Sequence, residues 1–324
     1  MQKRSKLFRI GIAVLAACLA ATMFLVAGCG KEEAKSSGDV TLKPKDSEPE
    51  EKIVLPTEPF YALVVGNDSR ADTAASAGGP AYSDTMMLVR IDPVNYQVTL
   101  VSIPRDTQTW YNDQKMKINE AYGEAGIGEL LNQVEALTGV RPEYYFDMGF
   151  ADFVSFIDTL GGVNVYVPVD MDFKDVMGGP HIYLTAGEQV LDGPQALVFA
   201  RVRKIFANDM EACRQMDDRS IVHSLLYYIA GTSDAISKGV GALYDNAETN
   251  WDRKQFEALV KDFAAHSDKL NVVSGTGPYD GDIDEETGFW MTYRDEDTWR
   301  QIIDVVNNGG SPEEIIALPV QSVE

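Results

Sequence analysis

Eight side chains suited to binding phosphate or a divalent cation lie at segment ends, or on a face they could share, in a chain that is otherwise acidic. They are Asp68, Arg70, Asp84, Arg105, Lys117, Arg201, Arg203 and Arg214. Guanidinium groups bind phosphate oxygens through paired hydrogen bonds, and two mutually repelling carboxylates are natural ligands for Mg²⁺. These residue types therefore predict a phosphate site with Mg²⁺. Unrelated arginines scattered over the surface are the alternative.

Two of these residues flank a predicted β-hairpin in residues 83–106, where two apolar, β-branched runs are separated by a turn sequence. If Asp92 pairs with Gln97 across the turn, the register places Asp84 directly opposite Arg105. Paired side chains in a sheet start about 5 Å apart at Cβ. The hairpin therefore predicts a carboxylate in contact with a guanidinium. An ion pair that only fastens the sheet edge is the alternative.

Other charged residues follow predicted elements. Asp68 and Arg70 come just after residues 60–66, an apolar run typical of a strand buried on both faces. Ligands gather at such strand ends in open α/β sheets. A turn in which Asp68 bonds its own backbone is the alternative. Arg201 and Arg203 end a predicted helix and share a face only if the chain there is extended.

Helical and extended patterns alternate through the middle of the chain. Residues 127–137 and 150–160 have apolar residues at helical spacing, and residues 144–148 and 163–169 read as strands around the second helix. This order predicts an α/β layered fold.

The N-terminus has the pattern of an export signal. A basic start precedes the apolar run 10–27, and Val26-Ala27-Gly28-Cys29 is similar to the lipobox of bacterial lipoproteins, in which Cys29 carries lipid. A retained transmembrane anchor is the alternative. Either interpretation places the rest of the chain at the extracytoplasmic face of the cell membrane. The predicted organisation is a signal (1–28), a disordered linker (29–59), a catalytic domain (60–249) and a C-terminal extension (250–324).

Charge and cysteine content exclude several classes of function. The formal charge is −22, and removal of the four basic residues of the signal takes it to −26. Nucleic acid is therefore excluded as a partner, because the electrostatic term would be repulsive. Cys213 would be left as the single free thiol, so the sequence offers neither an intrachain disulfide nor a cysteine metal site.

Successive motifs of the sequence resemble the LytR-CpsA-Psr family and follow that family's order. They are YALVVGNDSR, SDTMMLVRIDP, VTLVSIPRDT, KINEAY, LGGVNVYVPVDMD and LTAGEQVLDGPQALVFARVR, followed by Arg214. The resemblance covers about residues 61–229. It implies a mixed central β-sheet flanked by helices, here with a C-terminal α/β extension. The activity it implies is Mg²⁺-assisted transfer of an anionic glycopolymer, such as teichoic acid or capsule, from a polyprenyl pyrophosphate carrier to peptidoglycan.

The resemblance also implies roles for individual residues. Asp68 and Asp84 match the metal-binding carboxylates, and Asp106 matches a residue that orients its neighbours. The matched pyrophosphate ligands are Arg70, Arg105, Arg201, Arg203 and Arg214, with Lys117 as a further candidate. Asp84, Arg105 and Asp106 are then the predicted catalytic residues. The chain departs from the family at Asp217 and Asp218, where a further Arg and a Gln are common, so Asp218 is expected to face a cation or a sugar instead.

The mechanism and the class of protein leave alternatives. Any general base would be Asp68, Asp84 or Asp106, and an apolar slot for the polyprenyl tail is expected among the helices at Leu130, Phe153 and Leu225. A hydrolase that cleaves the pyrophosphate would use the same residues. A binding-only lipid or glycan carrier would retain the arginines. A transcription regulator conflicts with export and with the acidic charge.

Overall fold

A computed structural model describes residues 53–69 and 80–322 of the chain. In chain order its strands are β1 (Phe60–Asn67), β2 (Ser83–Asp92), β3 (Gln97–Ser102), β4 (Gln108–Tyr111), β5 (Gln114–Lys117), β6 (Tyr144–Gly149), β7 (Val163–Val167), β8 (Met171–Lys174), β9 (His181–Leu184), β10 (Gly187–Leu191), β11 (Glu248–Thr249), β12 (Asn271–Thr276), β13 (Gly281–Ile283) and β14 (Trp290–Thr292). Its helices are α1 (Ile118–Thr138), α2 (Phe150–Leu160), α3 (Gly193–Arg201), α4 (Met210–Ile229), α5 (Ser233–Asn246), α6 (Arg253–Ala265) and α7 (Glu296–Asn307), with a short 3₁₀ turn at Pro312–Glu314.

The centre of the fold is a six-stranded sheet in the order β11-β6-β1-β2-β3-β12. The pairs β1/β6 and β3/β12 are parallel, and the other pairs are antiparallel. The sheet is therefore mixed, and helices cover both of its faces. This confirms the predicted α/β fold class.

Alternate residues of the central strands supply two separate cores, because successive side chains of a strand point to opposite faces. On one face, Leu63 and Met86 pack with Leu130 of α1 and with α7. On the other face, Ala62 and Met87 pack beneath α4, α5 and α6. The predicted apolar slot is therefore wrong in one member, because Leu130 lies on the face opposite Phe153 and Leu225.

The β2–β3 hairpin has the register that its turn sequence predicts. Asp92 pairs with Gln97, and the same pairing sum continues to Met87 and Ser102. One step further, the Ile103 amide donates to the Met86 carbonyl at 2.9 Å. This register carries the two strands toward Asp84 and Arg105 and confirms the predicted hairpin.

Helix boundaries follow local signals where a glycine ends the helix. Helix α2 has the predicted bounds and ends at Gly161, whose φ of 91° is the left-handed conformation that glycine adopts readily. Helix α1 begins earlier than predicted, at Ile118, and contains a break at Gly126 with φ 73°. The first turns of α1 place Ile118 and Tyr122 in the same core as Leu130, but Gly123, Gly126 and Gly128 interrupt the helical pattern in the sequence.

The C-terminal residues are built into the central sheet. Strand β12 pairs in parallel with β3, and α7 places the indole of Trp299 in the core under β1 and β2, where its exposure is 0%. None of the helices in the described ranges is both long enough and apolar enough to cross a bilayer. The predicted signal and Cys29 lie outside the described residues.

Truncation of the Trp299 side chain tests whether the C-terminal segment supports the sheet. We expect Trp299→Ala to lower the free energy of unfolding by about 3–5 kcal/mol, because a buried indole is lost and its cavity refills incompletely. Trp110→Ala is the matched control, since Trp110 is 50% exposed on β4, and it should change the value by less than about 1 kcal/mol. Urea unfolding at constant pH measures both. Equal losses of unfolding free energy in the two variants would contradict the conclusion that α7 stabilises the central sheet.

Candidate functional site

A β-bulge at the start of β2 sets the direction of the Asp84 side chain. Thr85 pairs with Gly66 and Ser83 pairs with Asn67, so Asp84 is the extra residue between two registered pairs. Bulges of this kind redirect a side chain and are common beside functional sites. The Asp84 residue is 8% exposed, so its carboxylate needs polar partners within the protein.

Two arginines supply those partners. Arg105 donates from Nη1 to Oδ1 of Asp84, and Arg201 donates from Nη1 to Oδ2. Arg105 occupies a turn closed by the Thr107 amide and the Pro104 carbonyl at 3.1 Å, just beyond β3. Arg201 is the last residue of α3. The predicted contact between Asp84 and Arg105 is therefore present, and α3 brings a second guanidinium to the same carboxylate. We refer to Asp84, Arg105 and Arg201 as the arginine–aspartate cluster.

The Arg201 guanidinium is also held from its other side. Its central carbon lies 4.3 Å from the centroid of the Phe150 ring, a cation–π distance. Burial lowers the pKa of Arg201, while the charge of Asp84 acts in the opposite direction. The side chain therefore depends on Asp84 for its charge stabilisation, and an anionic ligand could supply the same stabilisation.

Arg214 lies behind the cluster with its donors occupied by the protein. It donates to the Asp84 carbonyl at 3.1 Å, to Glu211 at 2.5 Å and to Asp218 at 2.7 Å. Its Nη1 also donates to the Thr85 hydroxyl at 3.3 Å. Arg214 therefore braces the bulge from beneath. Asp218, which was expected to face a cation or a sugar, accepts hydrogen bonds from Arg214 and Thr85.

Burial and charge act differently on the acidic partners of Arg214. Burial raises the pKa of Asp218 to about 6, against the opposing charge of Arg214. For Glu211, burial acts to raise the pKa, but the charge and hydrogen bonds of Arg214 outweigh it and the pKa is lowered. For Arg214 itself, burial acts to lower the pKa, but the charges of Glu211 and Asp218 raise it. The brace is therefore a charged network in which Asp218 is the member most easily protonated.

Two further predicted cations, Lys117 and Arg203, contact neighbours of the cluster. Lys117 pairs with Asp106 at 2.9 Å, and the Asn119 amide donates to the Arg105 carbonyl at 3.3 Å. The start of α1 is therefore tied to the Arg105 turn. Arg203 lies 3.8 Å from Glu211. Its neighbour Val202 has extended dihedrals, φ −69° and ψ 129°, as required for Arg201 and Arg203 to share a face.

Asp68 closes the end of β1. Its backbone amide donates to the Tyr82 carbonyl at 3.0 Å, and its carboxylate accepts from the Tyr82 amide at 2.7 Å. The preceding Asn67 donates to Asp147 at 2.7 Å, and Tyr122 donates to the other Asp147 oxygen at 2.8 Å. The predicted position at a strand end is correct, and among the described residues the Asp68 carboxylate bonds the Tyr82 amide. Arg70 lies outside the described residues.

An apolar cavity of about 250 Å³ extends from the cluster into the core between the sheet and helices α2, α4 and α6. Aromatic and aliphatic side chains form nearly all of its wall, including Phe153, Leu225 and Trp251. Its polar lining residues are Asp84, Thr85, Arg201 and Asp218. Because these four are joined by hydrogen bonds or by adjacency, they form one charged end of an otherwise apolar space.

The donor set near the cluster limits how a metal could bind. No group of three or more acidic, histidine or cysteine side chains with metal-binding geometry occurs in residues 53–69 and 80–322. Asp68 and Asp84 lie on adjacent paired strand ends. Mg²⁺ is commonly held by one or two carboxylates together with substrate phosphates and water. The two carboxylates therefore fit a cation that completes its shell with a ligand, and they do not form an all-protein cage.

Sequence reasoning missed three members of the site. Glu211 is a partner of Arg214, Thr85 bonds Asp218, and Phe150 lies under Arg201. The spacing of Glu211 and Asp218 around Arg214, at i−3 and i+4 on a helix, is a signal that was present in the sequence. The contact of Phe150 with Arg201 joins distant segments and has no local signal.

The sequence and the fold were compared with those of known proteins. Residues 27–303 match the model of the LytR_cpsA_psr family. The polyisoprenyl-teichoic acid–peptidoglycan teichoic acid transferase TagV of Bacillus subtilis (strain 168) is 31% identical over 237 residues, which span 70% of this chain and 59% of TagV. TagU of Bacillus cereus (strain AH820), a transferase of the same name, is 30% identical over 247 residues, or 74% of this chain and 75% of the relative. The crystal structure of B. subtilis TagV superposes with a TM-score of 0.65 and 27% identity, covering 82% of this chain and 100% of that one.

The raised pKa of Asp218 predicts a pH-dependent difference between the wild type and Asp218→Asn. The folded protein holds the Asp218 proton more tightly than the unfolded chain, so ionisation of Asp218 disfavours folding as the pH rises from about 4 to above 6. Relative to Asp218→Asn, the wild type should lose up to about 3 kcal/mol of unfolding free energy across that interval. Urea unfolding from pH 4 to 8 measures the difference.

Asp245→Asn is the control, because Asp245 is exposed on α5. This variant controls for the loss of one negative charge, and its free energy of unfolding should stay within about 0.5 kcal/mol of the wild type. Parallel curves for the wild type and Asp218→Asn would contradict the assignment of a raised pKa to Asp218.

Proposed function

Because the chain belongs to the LytR-CpsA-Psr family, we propose that it is a membrane-anchored extracytoplasmic phosphotransferase. It moves an anionic glycopolymer of the teichoic acid type from a polyprenyl pyrophosphate carrier to peptidoglycan. The relatives named as teichoic acid transferases support the reaction class. The observation that carries the proposal is the apolar cavity that ends at the arginine–aspartate cluster, since a lipid diphosphate joins the same two chemistries.

The cavity suits the lipid part of the donor. Its wall is almost entirely hydrocarbon, so an aliphatic chain inside it would exchange water for apolar contacts. Such burial is favourable by about 25 cal/mol for each Å² of apolar surface removed from water. Phe153 and Leu225, at which the polyprenyl slot was expected, both line this space.

The cluster suits the diphosphate. Arg105 and Arg201 both bind Asp84, and phosphate oxygens, like carboxylate oxygens, accept paired hydrogen bonds from guanidinium groups. The Nε of Arg105 is buried and has no hydrogen-bond partner among the described residues. A diphosphate at this position would supply the missing acceptor and take over part of the charge compensation that Asp84 now provides.

Asp68 and Asp84 are the residues we propose to hold Mg²⁺, jointly with the diphosphate. When bound, Mg²⁺ would neutralise negative charge on the phosphate oxygens. Released from Arg105 and Arg201 by the diphosphate, Asp84 would be available to the cation. Asp68 stays fixed by the Tyr82 amide, which keeps its carboxylate at the end of β1.

The proposed transfer step uses these residues as follows. A peptidoglycan sugar hydroxyl attacks the phosphorus that carries the glycan, and the bond from that phosphorus to the bridging oxygen breaks. Polyprenyl phosphate leaves with the bonding electrons, and the hydroxyl proton passes to a carboxylate or to water. Arg105 and Arg201 stabilise the charge on the phosphoryl and bridging oxygens, the contribution that dominates phosphoryl transfer. Arg214 keeps the bulge in place, and Asp106 orients Lys117.

The N-terminal segment would place this chemistry where both substrates are found. Export through residues 1–28, followed by attachment of lipid to Cys29, would tether the folded part at the outer face of the membrane. The polyprenyl carrier lies in that membrane and peptidoglycan lies outside it. Both interpretations of the anchor, as lipid or as a transmembrane segment, give this location.

A reconstituted transfer assay tests the proposal. The protein is incubated with Mg²⁺, peptidoglycan and a polyprenyl diphosphate donor with a labelled glycan, and label in the wall fraction is measured. We expect Arg105→Ala and Arg201→Ala each to reduce kcat/KM by about 10²- to 10³-fold, the usual effect of removing one donor to a developing oxyanion. Arg141→Ala is the control and should leave kcat/KM unchanged, because Arg141 pairs on the surface with Glu135.

The distribution of label separates the alternatives. Label in peptidoglycan supports a transferase. Soluble glycan phosphate without attachment would identify a hydrolase. Donor binding without turnover, equally strong in the parent and in Arg105→Ala, would contradict the whole site assignment.

A further inference from the structure

A second charged surface adjoins the cluster and shares Arg201 with it. It is a cleft of about 230 Å³ whose lining contains four cations and no carboxylate, with Phe173 and three valines as the apolar part. The cations are Lys174, Arg201, Arg203 and Lys204. We refer to it as the cationic cleft. In a chain with a formal charge of −22, such a local concentration of positive charge needs a physical explanation.

Two of the four charges in the cationic cleft have no acidic partner. Arg201 is paired with Asp84, and Arg203 lies 3.8 Å from Glu211. Lys174 and Lys204 form no ion pair within residues 53–69 and 80–322. The cationic cleft therefore carries about two uncompensated positive charges, available to an anionic ligand.

The acidic residues nearest to Lys174 in sequence are engaged elsewhere. Asp172 contacts His181 across the β8–β9 hairpin at 2.9 Å. Asp175 accepts from the amides of Met177 and Gly179 at 2.8 and 3.0 Å, which uses its carboxylate to close a turn. The fold thus keeps these carboxylates bonded to other groups, and the charge of Lys174 is not neutralised by either of them.

The cationic cleft is assembled from separate elements. Lys174 ends β8 and pairs with His181 of β9, whereas Lys204 follows α3 in a turn in which the Phe206 amide donates to the Arg203 carbonyl at 3.1 Å. These positions meet because α3 packs against the β8–β9 hairpin. Three of the four cations lie within residues 201–204, and tertiary structure adds Lys174 to them from the β8–β9 hairpin.

Arg201 belongs to both the apolar cavity and the cationic cleft. It lines each of them and lies between them, bonded to Asp84. Three environments therefore follow one another in space: an apolar cavity, an arginine–aspartate cluster and a cationic surface. The donor in the proposed function has the same order of parts, which is a hydrocarbon tail, a diphosphate and a glycan.

We propose that the cationic cleft binds phosphodiester groups of the transferred polymer, close to its attachment to the carrier, through Lys174 and Lys204. This inference rests on the proposed function and adds that the enzyme recognises negative charge in the polymer itself, beyond the diphosphate. Lysine is suited to this task, because its mobile ammonium group neutralises a phosphate without demanding a fixed geometry. An uncharged glycan would gain nothing from these two ammonium groups.

The test compares two donors in the full-length protein with and without the two lysines. One donor is a polyprenyl diphosphate disaccharide, and the other has the same disaccharide extended by a poly(glycerol phosphate) chain. We expect Lys174→Ala/Lys204→Ala to raise the KM ratio of the long donor to the short donor by about 10-fold, the scale of two partly exposed charge contacts. The effect should shrink in 0.5 M salt, because exposed charges are then screened.

Lys254→Ala/Lys261→Ala is the matched control, because both lysines are exposed on α6 and neither lines the cationic cleft. This variant should leave the KM ratio of the two donors at the parent value. An unchanged ratio in Lys174→Ala/Lys204→Ala would overturn the proposal. An equal rise in KM for both donors would also overturn it, because the lysines would then act at the diphosphate.

A binding measurement keeps this inference separate from the proposed function. Lipid-free poly(glycerol phosphate) is titrated into the full chain and into the double lysine variant by calorimetry. Weaker binding by the variant supports the cationic cleft even if neither donor is transferred, in which case the proposed function alone fails. Equal binding by both proteins, or no binding by the parent, would overturn the cleft assignment even if transfer occurs.

Discussion

One carboxylate organises this site. Asp84 projects from a β-bulge and binds two arginines from different parts of the fold. Arg105 comes from the turn after β3, and Arg201 comes from the end of α3, 117 positions beyond Asp84. Without the bulge, Asp84 would continue the pleat of β2. Without Asp84, two guanidinium groups would face each other in a partly desolvated space. Asp84 connects the other parts of the site: its partner Arg201 lines both the cavity and the cationic cleft, and its carbonyl accepts from Arg214 of α4.

The network beneath the bulge explains how the protein tolerates so much charge in its interior. Arg214 is 5% exposed, and removal of an ion from water is costly unless its hydrogen bonds are replaced. Glu211, Asp218 and the Asp84 carbonyl replace them. The arrangement also buries the Asp218 carboxylate, whose pKa is raised because burial outweighs the neighbouring positive charge. Phosphate binding at the cluster would therefore change the partners of Arg105 and Arg201 and leave the deeper brace intact.

Local sequence rules predicted the elements whose geometry is fixed locally. The hairpin register followed from one pairing, Asp92 with Gln97, because strand residues alternate with a period of two. Helix α2 was bounded correctly, because Gly161 ends it. Tertiary contacts lay beyond this reasoning. Leu130 packs on the face of the sheet opposite the one predicted, and Arg201 stacks on Phe150; both contacts depend on how the layers of the fold associate. Helix α5 was not predicted. The family resemblance supplied the residues, and only the structure supplied the division of labour between Arg201 in the cluster and Arg214 in the brace.

A crystal structure of the protein with geranylgeranyl diphosphate and Mg²⁺ would test the central claim most directly. We expect the diphosphate to displace Asp84 from Arg105 and Arg201, and the hydrocarbon to enter the cavity beside Phe153 and Leu225. A diphosphate bound away from Arg105 and Arg201, or a tail lying on the outer surface with the cavity unchanged, would contradict it.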